Sequence, residues 1–204
     1  MKALGIRPAV RTRRPATPQR GAALIEVLVS IIILLFGLLG LAGVSSRANL
    51  AEMESYQRIQ AVQLVQDMAD RLNANRKVAS CYSNGATGVQ LGANSTTIPT
   101  CTAGSVQQQT QAAADLTAWS NMIQGQAESK SGSKLGAMIG ALGCVTQDDP
   151  VNQIYTIAVS WQGLAKTSAP TLSTGAAFPC GNGTYGDEKL HRVVTTKIRI
   201  GALS

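Results

Sequence analysis

The chain has one histidine, His191, two Phe, two Trp and no cysteine before Cys81. It has no acidic residue before Glu26, no proline between Pro18 and Pro99, and no second long apolar run after the one that ends near Gly43. Each absence excludes something. A lone His and four cysteines without C-x-x-C spacing do not make a zinc site. No Cys closely follows the apolar run, so a lipoprotein anchor is excluded. A single apolar run excludes a many-pass membrane protein. No G-x-S-x-G, P-loop or dinucleotide fingerprint occurs, so no catalytic residue and no cofactor is expected, and the chain does not read as an enzyme.

The missing acids at the N-terminus explain the charge. The formal net charge is +7, but Lys2, Arg7, Arg11, Arg13, Arg14 and Arg20 all precede the apolar run. Beyond them, 12 basic residues face 11 acidic ones. The basic excess therefore flanks the apolar run and forms no nucleic-acid-binding stripe.

What is present is one long apolar segment. Between Arg20 and Arg47 the only charged residue is Glu26. As a helix these residues reach ~39 Å, enough to cross a ~30 Å hydrocarbon core. The preceding cations hold the N-terminus in the cytoplasm and place the rest of the chain across the membrane. An ordinary signal peptide would be cut near Ser46-Arg47-Ala48, leaving a terminus at Asn49. The run is longer than the 7–15 residues usual for that apolar region. An uncleaved signal anchor fits the length. Neither reading gives Glu26 a purpose, although a carboxylate at mid-helix depth costs roughly 2.5–3.5 kcal/mol on insertion scales.

The stretch Gly21-Ala22-Ala23-Leu24-Ile25-Glu26-Val27-Leu28 resembles the processing site of a type IV prepilin. Ala22 and Ala23 depart from the family's usual Phe and Thr, and Arg20 replaces its frequent Lys. The resemblance implies cleavage after Gly21 by the prepilin peptidase and N-methylation of Ala22. In an apolar filament core an isolated carboxylate is disfavoured unless paired. The new α-amino group at Ala22 of a neighbouring subunit is the partner that Glu26 would dock to. The chain is expected to divide into a leader, 1–21, a membrane and filament-core helix, 22–46, and an exported domain, 47–204.

The helix is expected to continue to about Asn75. Ile59, Val62, Val65, Ala69 and Leu72 form a stripe at three- and four-residue spacing. Gly37, Gly40 and Gly43 each cost ~1 kcal/mol of helix stability relative to Ala. They mark either close helix packing or a segment that unwinds in a filament. Residues 77–107 read as a loop region. "TQAAADLTAWSNMIQ" reads as a short helix that turns Trp119 inward, and "SKSGSKLGAMIGAL" as loop or weak helix. Alternation in "IYTIAVSW" and "RVVTTKIRI" gives two strands, and "GCVTQDDPVNQ" gives a short strand and a turn. The fold class is α+β: a long N-terminal helix packed on a small antiparallel sheet, which is also the type IV pilin fold.

Cys81, Cys101, Cys144 and Cys180 all follow the apolar run, and an even count in an exported domain favours two disulfides. Of the three pairings, Cys81–Cys101 and Cys144–Cys180 close the most local loops. His191 is expected as a surface strand residue. Asp148-Asp149 and Asp187-Glu188 are expected as solvated turns, since neither carries an EF-hand pattern.

"LVQDMADRLNANR", then "YTIAVSWQG" after one Cys and "HRVVTTKIRI" after another, resemble the minor pilins called type IV pilus modification proteins, the PilV type. That resemblance implies a low-copy subunit at or near the pilus tip. Its partners would be other minor and major pilins and the inner membrane, and it would support assembly, twitching motility and adhesion. A type II secretion pseudopilin would use the same leader and Glu26. A signal-anchored periplasmic enzyme is the reading from another class.

Overall fold

The computed structural model describes residues 22–93, 95, 97–125, 129–130, 133–134 and 138–201. Gly21 and the rest of the leader lie outside the described residues. The described residues divide between Ala48 and Asn49 into two compact units.

Helix α1 runs from Ala22 to Ala74 and contributes to both units. It contains no proline to interrupt it. In the first unit its large apolar side chains, from Leu24 to Val44, are 42% to 72% exposed. Among the described residues it is the one helix long and apolar enough to cross a membrane by length and composition.

In the second unit α1 buries one face. Gln57, Ala61, Val65, Met68 and Leu72 are buried there, with Leu64 packed beside them. The expected stripe holds in part, since Val65 and Leu72 are buried and Ala69 packs against the core. Ile59 is 55% exposed, and Val62 and Ala69 are half-buried. This length of helix carries apolar residues around more than one face, so spacing alone set its rotation only in part.

Between Ala74 and the next helix the chain is more ordered than its composition suggests. A 3-10 turn, Arg76–Tyr82, buries Val78, Ala79, Cys81 and Tyr82. A short strand β1 follows at Val89–Gly92. Helix α2 spans Val106–Ile123 and starts with a reciprocal cap: Ser105 Oγ accepts from the Gln108 amide, and the Gln108 side chain accepts from the Ser105 amide. Its apolar spacing turns Ala112, Leu116, Trp119 and Ile123 into the core.

"SKSGSK" contributes a two-stranded ladder, β2 (Ser129–Lys130) with β3 (Ser133–Lys134). Ile139 begins strand β4, which extends to Asp149 and so replaces the expected loop or weak helix over 139–142 with strand; residues 131–132 and 135–137 of that stretch lie outside the described residues. Strands β5 (Ile154–Gln162) and β6 (His191–Arg199) complete an antiparallel sheet of order β1-β4-β5-β6.

One face of this sheet packs Val145, Tyr155, Ile157, Val159 and Trp161 against α1 and α2. Gly143 lets α2 come close, because a Cβ there would lie 2.3 Å from the Trp119 ring. The other face is covered too. Phe178 and Cys180 pack on Cys144 and Ala158, and Tyr185 Oη and Ser160 Oγ share a hydrogen bond of 2.8 Å. The Gly-, Ser- and Pro-containing excursion between β5 and β6 thus closes over the sheet.

Candidate functional site

Of the residues singled out near the N-terminus, Ala22 and Glu26 lie on α1, and Gly21 lies outside the described residues. The Ala22 backbone is helical, and the Glu26 side chain is exposed. Ser30 Oγ donates to the backbone carbonyl of Glu26 at 2.7 Å. At about 100° per residue, Gly37 falls roughly 20° from Glu26 around the helix and Gly40 roughly 40° to the other side. Gly43 turns away by roughly 100°. A Cβ at Gly37, Gly40 or Gly43 would meet nothing within 4 Å. The fold of this chain therefore does not itself require glycine at these positions. A continuous apolar surface of this extent fits contact with a membrane or with other protein chains.

The second unit is fastened by polar groups that the sequence did not single out. Asp115 on α2 is buried and accepts from Arg71 Nη1 at 2.9 Å, Gln111 Nε2 at 2.9 Å and Tyr82 Oη at 2.5 Å. Arg71 also pairs with Asp67 at 2.7 Å. The Asp67 hydrogen bond, with Asp115 behind it, holds the guanidinium above its ordinary pKa, although burial opposes this. Burial and the bond to Asp115 raise Tyr82. These contacts tie α1, α2 and the 3-10 turn at one corner, where a buried charge is tolerated because it is fully paired.

Glu54 fastens the other end. Its Oε1 accepts from the Leu164 and Ala165 amides, both at 3.1 Å, and from Arg192 Nη2 at 3.2 Å. Trp161 Nε1 donates to Gln57 Oε1 at 3.1 Å one turn along. No periodicity could have announced Glu54, because its partners are more than a hundred residues away.

The cysteines form Cys81–Cys101, Cα atoms 5.1 Å apart, and Cys144–Cys180, Cα atoms 5.9 Å apart. The first staples the 3-10 turn to the segment before α2. The second staples the covering excursion to β4.

His191 is buried, not on the surface as expected. Its Nδ1 lies 2.9 Å from Glu188 Oε2 and its Nε2 lies 2.9 Å from the Cys180 carbonyl. Both neighbours are acceptors, so the ring bridges the start of β6 to the disulfide. Burial beside it pushes Tyr185 up to about 12, against the Ser160 hydrogen bond.

The acidic pairs serve turns and cross-strand contacts. Asp149 caps the β4–β5 turn through the Val151 and Asn152 amides. Asp148 accepts from Thr156 and pairs with Lys197, both at 2.7 Å. Asp187 pairs with Lys166 at 2.8 Å.

Among the described residues no group of three or more His, Cys, Asp or Glu is placed to hold a metal ion. Surface clefts among the described residues include the following two. One of about 120 Å³ lies beside Cys144–Cys180, and one of about 290 Å³ lies beside Ser55, Arg58 and Arg192. Neither brings together a nucleophile and a base.

No curated protein and no solved structure matches the chain significantly. Residues 44–117 match a family model described as type IV pilin Tt1218, the Tt1218-like family. The match covers just over a third of the chain, from Val44 at the end of the apolar segment to Thr117 in α2. Together with the long apolar helix, the four-stranded sheet and the two disulfides, this similarity supports a type IV pilin.

Proposed function

We propose that this chain is a minor pilin of the type IV pilus. The carrying observation is that two independent stretches agree. The Gly21–Leu28 motif resembles a prepilin processing site, and residues 44–117, which do not overlap it, match a type IV pilin family. In this reading the prepilin peptidase removes residues 1–21, and Ala22 becomes a methylated N-terminus. Residues 22–46 anchor the subunit in the inner membrane and later enter the filament core. Residues 47–204 form the exported head. The head is of the PilV type and sits at or near the pilus tip with other minor and major pilins, supporting assembly, twitching motility and adhesion.

The physical logic centres on the exposed apolar helix. Inside a bilayer its side chains meet lipid. In a filament they meet the helices of neighbouring subunits, an environment equally dry. Glu26 needs a cation there, and the α-amino group at Ala22 of a neighbour supplies one. Gly37, Gly40 and Gly43 weaken the helix where it must change surroundings.

The test is the N-terminal mass of the mature protein. A chain beginning at methylated Ala22 is expected. A terminus at Asn49 would show an ordinary signal peptide and overturn the reading.

A further inference from the structure

The sequence contains two Asn-Gly pairs, Asn84-Gly85 and Asn182-Gly183. Asparagine is a thermolabile residue, and the bond before glycine is its most vulnerable setting. No Cβ hinders approach of the glycine nitrogen to the asparagine side chain. We propose that Asn84 is a site of spontaneous deamidation and that Asn182, with the same sequence signal, is protected by Glu188.

The two glycine amides are held differently. Asn84 and Gly85 are both exposed, and a Cβ at Gly85 would meet nothing within 4 Å. The carbonyl of Gly85 is fixed, accepting from Ser83 Oγ at 2.8 Å and from the Gly88 amide at 3.2 Å. Its N–H donates no hydrogen bond among the described residues. Asn182 and Gly183 are exposed as well, but the Gly183 N–H donates to Glu188 Oε1 at 2.7 Å. That carboxylate is itself anchored, since its other oxygen meets the buried His191 ring.

The reaction needs only water. The Gly85 nitrogen attacks Cγ of the Asn84 amide and loses its proton, and the amide nitrogen leaves as ammonia. A five-membered succinimide results. Water adds to one of its two carbonyls and opens it to aspartate or isoaspartate. At Gly183 the same attack first requires breaking a hydrogen bond to a carboxylate.

The site matters for the fold. Asn84 lies in the strap between the Arg76–Tyr82 turn and β1. The strap is seated closely on β4 at Gly88, where a Cβ would lie 2.4 Å from the Thr146 side chain. Either product adds a negative charge. The isoaspartate also adds a methylene to the main chain, which loosens the strap.

The experiment ages the purified full-length protein in detergent at mildly alkaline pH and maps peptides for aspartate and isoaspartate. Conversion at Asn84 is expected to exceed that at Asn182 by about tenfold or more, the factor a hydrogen bond to a charged group is worth. Asn84→Gln should abolish the signal at that site and leave Asn182 unchanged. Glu188→Gln should raise conversion at Asn182. In urea both sites should convert at similar rates. Should Glu188→Gln misfold, amide exchange of the unaltered protein replaces it, with Gly183 slow and Gly85 fast. Equal conversion of the two sites in the folded protein, equal exchange of the two glycines, or an intact Asn84 after the urea control has converted would each overturn the proposal.

Discussion

The carboxylate of Glu54 and the guanidinium of Arg192 meet at 3.2 Å although 138 residues separate them. Through this contact the last strand is fastened to α1, and the same carboxylate oxygen holds the two amides that open the covering excursion. Arg192 keeps other acceptors, donating to the carbonyls of Lys189 and Ala165. Glu54 is therefore the member whose loss leaves groups unsatisfied.

Glu54→Ala should destabilise the folded head by roughly 1–3 kcal/mol, the range for losing charged hydrogen bonds, towards the lower end because the pair is partly solvated. Arg192→Lys should cost less, since Glu54 keeps its two amide donors. Urea unfolding of the full-length protein in detergent checks the order. An Arg192→Lys effect as large as that of Glu54→Ala would show that the amide contacts carry little.

The two disulfides should behave differently when removed. Each closes a loop that contributes roughly 3–4 kcal/mol on the chain-entropy model. Paired Ser substitution of Cys144 and Cys180 should open residues 163–190 to protease while α2 stays protected. Paired substitution of Cys81 and Cys101 should expose the segment before α2 instead. Limited proteolysis with mass mapping distinguishes the two patterns.

Acid should loosen the covering excursion first. The Gly183 amide, then the His191 side chain, hold the Glu188 carboxyl below its ordinary value. The Lys166 side chain, then the Lys189 amide, do the same for Asp187. A carboxylate with a depressed folded-state pKa contributes its stability above the unfolded value and loses it as pH falls through the folded one. Proteolytic cleavage between Gly163 and Leu190 should therefore rise as pH drops below the ordinary carboxylate range. Glu188→Gln should weaken that dependence, and an unchanged profile would assign it elsewhere.

Glycine substitutions should separate fold from assembly. Gly143→Ala places a methyl group against Trp119 and should cost roughly 1–3 kcal/mol through overpacking. Gly37→Ala and Gly40→Ala meet no atoms of the chain and should each stabilise the helix by ~1 kcal/mol. On the pilin reading, these two variants should insert in the membrane normally and enter sheared filaments less well. Wild-type incorporation would mean that the glycines have no part in assembly.

Glu26→Ala should insert at least as well as the parent, since a charge leaves the apolar helix. Its incorporation into filaments should fall, because the neighbouring amine would be buried unpaired. Glu26→Gln should be intermediate, as an amide accepts a hydrogen bond without carrying charge. Comparison of sheared and membrane-retained protein tests this, and full incorporation of Glu26→Ala would exclude docking through this carboxylate.

The sequence by itself determined the elements whose signal is local. An unbroken run without proline specified α1, observed over Ala22–Ala74. Period-two alternation specified β5 and β6, and apolar spacing specified α2 with Trp119 inward. The α+β class followed from these elements alone. Tertiary structure decided the rest. It chose the buried face of α1, Ala61, Val65, Met68 and Leu72, because the apolar residues of that helix do not select a single side. It recruited Val89–Gly92 and Ile139–Leu142 into the sheet through backbone pairing, which a Gly-rich sequence does not advertise. It also buried His191, Ala158 and Ser160 beneath an excursion whose composition reads as solvent-exposed loop. Burial there depends on a disulfide and on hydrogen bonds to distant partners, and contacts made across such separations leave no periodic trace in the chain.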